Sequence, residues 1–212
     1  MTTDEVPGSD YASDLVRIAV SRKNGREPFR SHEQPLGAQL KDFWSWASSD
    51  LLDNATRGRL AEYLVGLALD CVQDATRIEW DAADLRTGTG YRVEVKSAAY
   101  LQSWRQTTHS RISFDIRPTL GWDADTNTYC AQRRRQADVY VFCLFAHKHK
   151  PTADPMNTDQ WQFHVVSTRQ LNQTAGEQKT ITLASLLTKV RPASATFPEL
   201  RYTVDAAAEE DR

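Results

Sequence analysis

Two acidic residues and a lysine occur at a spacing suited to metal-assisted chemistry, in the segment Asp84-Leu-Arg-Thr-Gly-Thr-Gly-Tyr-Arg-Val-Glu94-Val-Lys96. Gly88-Thr89-Gly90 predicts a tight turn that joins two antiparallel strands. If the turn is centred on Thr89, the numbers of facing residues add up to 178. Asp84 then lies directly opposite Glu94, and Lys96 follows two residues later on the same face of the sheet.

Two carboxylates that face each other across a sheet repel each other, so this pairing alone does not stabilise the sheet. A divalent cation held between them would remove that repulsion, and hard oxygen ligands with open water positions suit Mg²⁺ or Mn²⁺. A lysine beside the ion can hold or help deprotonate an attacking water and can offset charge on a pentacovalent phosphate. The segment therefore predicts hydrolysis of a phosphodiester by a metal-activated water.

Two further acidic residues belong to this interpretation. Asp81 is a rival for the first acidic position, but in an unbulged strand it faces away from Asp84, and the Gly-Thr-Gly turn favours Asp84. Glu62 lies on the polar side of a predicted amphipathic helix, where an exposed glutamate is the ordinary case. Gly58 and Gly66 flank it by four residues and leave room for a phosphate or another backbone, so both alternatives stay open.

The hairpin, preceded by a helix that carries Glu62, resembles the PD-(D/E)xK nuclease superfamily, which includes restriction endonucleases and Holliday-junction resolvases. The flanking sequence from residue 91 to 104 is similar to a bacterial branch of it, and the resemblance covers about residues 57–145. One departure is Ala83, which stands where the superfamily motif has a proline that is often missing. The resemblance implies a catalytic set of Glu62, Asp84, Glu94 and Lys96, with metal ligands from Asp84, Glu94, the Val95 carbonyl and Glu62.

Other polar residues are candidates for substrate contacts. These are Ser97, Tyr100, Gln102, Arg133, Arg134 and Arg135. The first three follow the lysine strand, where the superfamily often places active-site residues, although helix capping and packing are equal alternatives. The arginine run could bind phosphates or serve solubility in a loop. Trp122 could line a substrate groove or pack in the core, and Asp138 could pair with an arginine or extend the polar site.

The patterning predicts an α/β fold with a central mixed β-sheet flanked by helices, and the resemblance implies a restriction-endonuclease-like core. Helices are expected from Leu40 and, after an N-cap at Asn54, over residues 55–72, with another from residue 97 to 105. Strands are expected at 77–86, 91–96, 111–116, 137–145, 161–166 and 179–183, the run 137–145 being apolar enough for burial on both faces. The predicted organisation is a flexible arm at 1–35, one nuclease-like domain at 36–205 and a frayed tail at 206–212.

Composition restricts the class of protein. The 212 residues are 40% hydrophobic with a net charge of −2, so nucleic-acid binding must depend on local clusters of cations. The three cysteines lack the spacing of a structural zinc site, which fits a reducing compartment. The acidic N-terminus is unlike a signal peptide and no apolar run could span a bilayer, so a cytoplasmic protein without a membrane partner is expected.

The sequence thus predicts a Mg²⁺-dependent endonuclease, a hydrolase of phosphodiester bonds in DNA, with Mn²⁺ able to substitute. A homodimer is one option, because restriction enzymes and resolvases of the superfamily that the sequence resembles are often dimers. The alternative is a non-catalytic nucleic-acid-binding or protein-interaction module that keeps the hairpin as a scaffold, an interpretation that the net charge of −2 favours. An RNA-directed nuclease is a third option, although no RNA-binding module is visible.

Overall fold

The computed structural model describes residues 18–77, 81–123 and 128–210. Short 3₁₀ turns lie at Lys150–Thr152, Thr158–Gln160 and Phe197–Glu199, and a π-helical turn lies at Leu186–Val190. In chain order the helices and strands are β1 (Pro28–Ser31), β2 (Gln34–Gln39), α1 (Leu40–Ser48), α2 (Asn54–Ala68), β3 (Leu85–Arg86), β4 (Arg92–Ala99), β5 (Ser113–Asp115), β6 (Thr119–Asp123), β7 (Thr128–Arg134), β8 (Val139–Phe145), β9 (Trp161–Ser167), α3 (Thr168–Ala175), β10 (Thr180–Thr182), α4 (Leu183–Ser185), β11 (Ala193–Ala195) and α5 (Leu200–Glu210).

A five-stranded mixed sheet forms the centre, in the order β11-β9-β8-β4-β3. Strands β4 and β8 run parallel, whereas the remaining three pairs of neighbouring strands in this sheet are antiparallel. Every residue of β8 is buried, as its continuous apolar run predicts for a strand covered on both faces. The predicted α/β architecture with a central mixed sheet and flanking helices is confirmed.

Helices cover both faces of this sheet. On one face α2 packs against β4, whose alternate residues Val93 and Val95 belong to this apolar cluster, and α5 packs against β8 and β9. On the opposite face Phe142 of β8 packs in a second apolar cluster with residues of β5, α3 and β10. Because side chains alternate along a strand, Glu94 and Lys96 of β4 lie on this second face.

The hairpin of β3 and β4 has the register predicted from the turn. Leu85 pairs with Val93, and Arg86 pairs with Arg92. The first strand is much shorter than the predicted range 77–86, because Asp81–Asp84 form bends rather than strand; residues 78–80 lie outside the described residues. Asp84 therefore sits just before the ladder rather than within it.

One predicted helix does not form, and both predicted ends of another are wrong. The helix expected at 97–105 does not form, because β4 continues to Ala99 and keeps its parallel pairing with β8 there. Helix α2 ends at Ala68 rather than at residue 72, since Asp70 adopts a φ of 62° and the Cys71 N–H turns back to the Gly66 carbonyl. At its start, the carboxylate of Asp53 rather than Asn54 caps the helix.

Both predicted chain ends contain regular structure. The predicted arm at 1–35 ends inside β2, which pairs with β1 as a hairpin. The predicted tail at 206–212 begins inside α5, where Ala207 and Ala208 are buried against the sheet. The division into arm, domain and tail stays a prediction. Within the described residues, no helix is long and apolar enough to cross a membrane.

Gly66 and Gly58 on α2 allow a matched test of packing. A Cβ on Gly66 would clash with Cγ1 of Val72 and lie 3.2 Å from Cδ2 of Leu85, whereas a Cβ on Gly58 would meet nothing within 4 Å. We expect Gly66→Ala to lower the free energy of unfolding by about 1–3 kcal/mol through overpacking. Gly58→Ala should raise it by up to about 1 kcal/mol through helix propensity. Urea denaturation of both variants checks this, and equal shifts would contradict the close packing at Gly66.

Asp138 lies directly before the buried strand β8 and pairs with an arginine, which is one of the two alternatives considered for it. Its carboxylate accepts hydrogen bonds from the Arg92 backbone N–H and from Nη2, both at 2.8 Å. Burial works against the charged form, but these bonds outweigh it and hold the pKa of Asp138 below its usual value of 3.8. The pair thereby anchors the first residue of β4 to the start of β8.

We expect Asp138→Asn to lower the free energy of unfolding at pH 7 by about 1–2 kcal/mol. A carboxyl whose pKa is lowered by folding stabilises the protein above its unfolded pKa and loses that contribution as pH falls through the folded pKa. The difference between Asp138→Asn and wild type should therefore shrink below about pH 4. Urea denaturation across this range checks the prediction, with Glu209→Gln, an exposed change, as control. A difference that stays constant with pH would contradict it.

Candidate active site

A cleft of about 490 Å³ opens on the second face of the sheet, where the predicted hairpin meets β5, β6 and β7. The acidic and lysine residues of the hairpin lie in its lining. Asp84, Glu94 and Lys96 share this lining with Asp115 and Tyr140. Three of the four residues predicted as catalytic thus lie together in one concave site, where catalytic groups of enzymes are usually found, whereas Glu62 is not part of this lining.

Strand β4 and the bend before β3 fix these side chains. Lys96 Nζ donates to Glu94 Oε1 at 2.5 Å. Asp84 Oδ2 accepts a hydrogen bond of 2.7 Å from the backbone N–H of Val95. The Asp84 carboxylate is therefore bonded to the strand at the residue between Glu94 and Lys96.

The electrostatics of the group reflect two carboxylates in a partly buried space. Burial and, second to it, the charge of Glu94 together raise the pKa of Asp84 to about 7, although the Val95 hydrogen bond acts to lower it. For Lys96, burial works to lower the pKa, but the charges of Glu94 and Asp84 outweigh it and raise the pKa overall. Lys96 is therefore an ammonium at neutral pH.

The donor set suits a hard divalent cation. Asp84 and Glu94 offer carboxylate oxygens, and the Val95 N–H already points toward Asp84. Because N–H and C=O of one residue in an extended strand point to the same edge, the Val95 carbonyl is expected at the edge of β4 where Asp84 lies. Among the described residues, no three side chains of Asp, Glu, His or Cys are grouped to hold a metal. Two carboxylates, a carbonyl and water fit the ligand preference of Mg²⁺, which keeps several waters.

Glu62 and Asp81 lie near this group but are paired with arginines. Arg77 donates to both carboxylate oxygens of Glu62, at 2.5 and 3.1 Å, and the charge of Glu62 contributes to the raised pKa of Asp84. Asp81 accepts from Arg86 at 2.7 and 3.0 Å. Asp84 therefore bonds to the Val95 amide beside Glu94, whereas Asp81 pairs with Arg86.

The polar residues that follow Lys96 brace the fold outside the cleft lining. Buried Arg57 donates to Ser97 Oγ at 3.3 Å and to Gln102 Oε1 at 3.4 Å. The ammonium nitrogen of Lys148 lies over the ring of Tyr100, 4.5 Å from the centre of that ring. The cleft lining contains none of the three, and their role in substrate contact stays a prediction.

The arginine run divides between surface and interior. Arg133 and Arg134 belong to the exposed strand β7, not to a loop as predicted. Arg135 is 6% exposed and donates to the carbonyls of Ile116 and Gly176 at 2.9 and 2.8 Å, and to other groups. Arg135 is therefore bonded to protein groups in the interior, and a contact with substrate phosphate stays a prediction.

Sequence reasoning missed several residues of the cleft. Tyr140 pairs in register with Glu94, and burial raises the pKa of its phenol, so the hydroxyl stays a proton donor. Asp115 lines the cleft and pairs with Arg117 at 2.7 Å. Tyr140 reaches the cleft because β8 pairs in parallel with β4, and the two paired residues are more than 40 positions apart in sequence. No local sequence pattern reveals such a pairing.

One of the tryptophans lies at the cleft. Trp122 lines the cleft, and its ring lies 4.8 Å from that of Tyr129 on the paired strand β7. Both strands belong to a separate two-stranded sheet beside the site. The groove alternative considered for Trp122 therefore describes its position.

Fold and site together define an α/β protein whose paired carboxylates and lysine lie in an open cleft. Residues 40–185 match the family described as bacteriophage T4 endonuclease IV. The match covers more than half of the 212 residues, and the chain belongs to this family. This membership indicates a nuclease, whose substrate is nucleic acid. No curated protein matches the chain.

Proposed function

We propose that the protein is a metal-dependent endonuclease of the PD-(D/E)xK type that hydrolyses phosphodiester bonds of DNA with Mg²⁺. The observation that carries the proposal is the bonding of Asp84 to the Val95 amide beside Glu94, with Lys96 on the same face. This is the arrangement that the resemblance implies for its acidic pair and lysine. The nuclease family to which the chain belongs supports the catalytic interpretation over the scaffold alternative.

Each residue has a role that its position supports. Asp84, Glu94 and the Val95 carbonyl would hold the divalent ion, with Mn²⁺ able to replace Mg²⁺. When bound, the ion supplies a more acidic water and a counter-charge for the phosphate. Lys96 holds a positive charge beside the scissile phosphate and is placed to orient the attacking water. Tyr140 is a neutral hydrogen-bond donor at the same cleft.

Cleavage assays with and without metal test the proposal. The purified protein is incubated with supercoiled plasmid, single-stranded DNA and RNA of matched sequence, in Mg²⁺, Mn²⁺ or EDTA. We expect DNA cleavage that requires the metal and is lost in Glu94→Gln, but not in the exposed control Glu209→Gln. Equal cleavage by Glu94→Gln and wild type would overturn the assignment of the site, and cleavage of RNA alone would overturn the DNA substrate.

A further inference from the structure

A second cleft of about 380 Å³ lies next to the candidate active site. Asp81 and Asp84 line both clefts, so the two spaces meet at the proposed metal ligand. Four arginines line this second cleft, whereas one lines the first. The arginines are therefore more numerous on the side of Asp84 away from Lys96.

Helix α2 forms one wall of the arginine-lined cleft. Arg59, Glu62 and Tyr63 lie in its lining, and their spacing of three and four residues places them on one side of the helix. Arg59 is exposed, and among the described residues no hydrogen bond or ion pair engages it. Arg77 and Arg86 in the same cleft are instead paired with Glu62 and Asp81.

We propose that this arginine-lined cleft binds the phosphate backbone of the substrate on one side of the scissile bond, with Arg59 as a phosphate contact. The inference rests on the proposed nuclease function. A chain that runs from one cleft into the other must pass Asp84, so phosphates held by Arg59 place the next phosphodiester at the acidic pair.

The chemistry of the cleft favours a phosphate chain as its occupant. A guanidinium offers a planar set of donors that matches phosphate oxygens, and Arg59 is the cation of α2 left for such a ligand. Arg22 adds a second guanidinium that donates to the Val72 carbonyl at 3.2 Å at the far wall. The chain carries a net charge of −2, so attraction to nucleic acid must come from a local cation cluster of this kind.

Salt-dependent binding measures this contact separately from cleavage. Fluorescence anisotropy gives the Kd of a labelled DNA oligonucleotide in EDTA over a range of NaCl concentrations. We expect Arg59→Gln to raise Kd by about tenfold and to reduce the slope of log K against log salt by about one. The matched control is Lys189→Gln, an exposed cation outside both clefts, which should leave both quantities unchanged.

The outcomes distinguish this inference from the proposed function. Identical Kd and salt slope for Arg59→Gln and Lys189→Gln would overturn the phosphate contact, even where wild type cleaves DNA with Mg²⁺. A reduced slope for Arg59→Gln supports the contact, even where no metal gives cleavage and the proposed function fails. Unchanged melting of Arg59→Gln, which loses no described partner, shows that the fold is kept.

Discussion

Lys96→Met is expected to reduce the rate of Mg²⁺-dependent DNA cleavage by about 10²–10³-fold. Methionine keeps an unbranched apolar stem in the same space but removes the ammonium that contacts Glu94 at 2.5 Å. The negative charge that develops on the phosphate is then no longer stabilised by a nearby cation. Single-turnover cleavage at saturating enzyme measures the chemical step, and circular dichroism checks the fold.

Lys189→Met is the matched control for this experiment. It removes an exposed lysine near the end of the π-helical turn, outside both clefts, and should cleave at the wild-type rate. Cleavage by Lys96→Met at the wild-type rate would show that the ammonium beside Glu94 takes no part in the reaction. A loss shared equally by both variants would show that the effect is one of overall charge.

Arg135→Ala should have the largest effect on stability, lowering the free energy of unfolding by about 3 kcal/mol. The guanidinium joins β7, the segment after β5 and the end of α3, through the carbonyls of Ile116 and Gly176 and the side chain of Asn172. Truncation leaves the carbonyl of the buried Ile116 without this donor and removes the bonds to Asn172 and Gly176 at the exposed end of α3. Chemical denaturation of wild type and variant measures the difference.

Arg133→Ala is the natural comparison, because the two residues are two positions apart in sequence and only Arg135 is buried. The exposed Arg133 should change the free energy of unfolding by less than about 0.5 kcal/mol. If the two variants lose equal stability, the buried network of Arg135 is not what holds these segments together.

The local geometry of the hairpin was predictable, because a tight turn fixes the register of the strands on either side. Gly88-Thr89-Gly90 led to the pairing of Leu85 with Val93 that the structure contains. The apolar run at 137–145 likewise predicted a strand buried on both faces. In each case the information lies within about ten neighbouring residues.

Longer-range features were beyond local patterns. Residues after Lys96 have the composition of a helix start, but pairing of Ala99 with Phe145 of β8 extends the strand. The same pairing brings Tyr140 to Glu94, and no spacing in either segment signals it. Arg135 resembles its exposed neighbours in sequence, and only the carbonyls that converge on it from other elements distinguish it.

The position of Asp84 shows both limits together. The turn places it near Glu94 as predicted, but the chain bends there, so the carboxylate reaches the site through the Val95 amide rather than through a ladder position. Asp81 is three residues away with the same chemistry, and its pairing with Arg86 could not be derived from spacing. The choice between the two acids therefore depends on tertiary contacts.

Calorimetric titration with Mn²⁺ tests the central claim most directly, since it measures the proposed site without any substrate. Wild type and Asp81→Asn should both bind the ion, whereas Asp84→Asn should show no heat of specific binding. Binding by Asp84→Asn equal to that of wild type would contradict the assignment of Asp84 and Glu94 as a shared metal site.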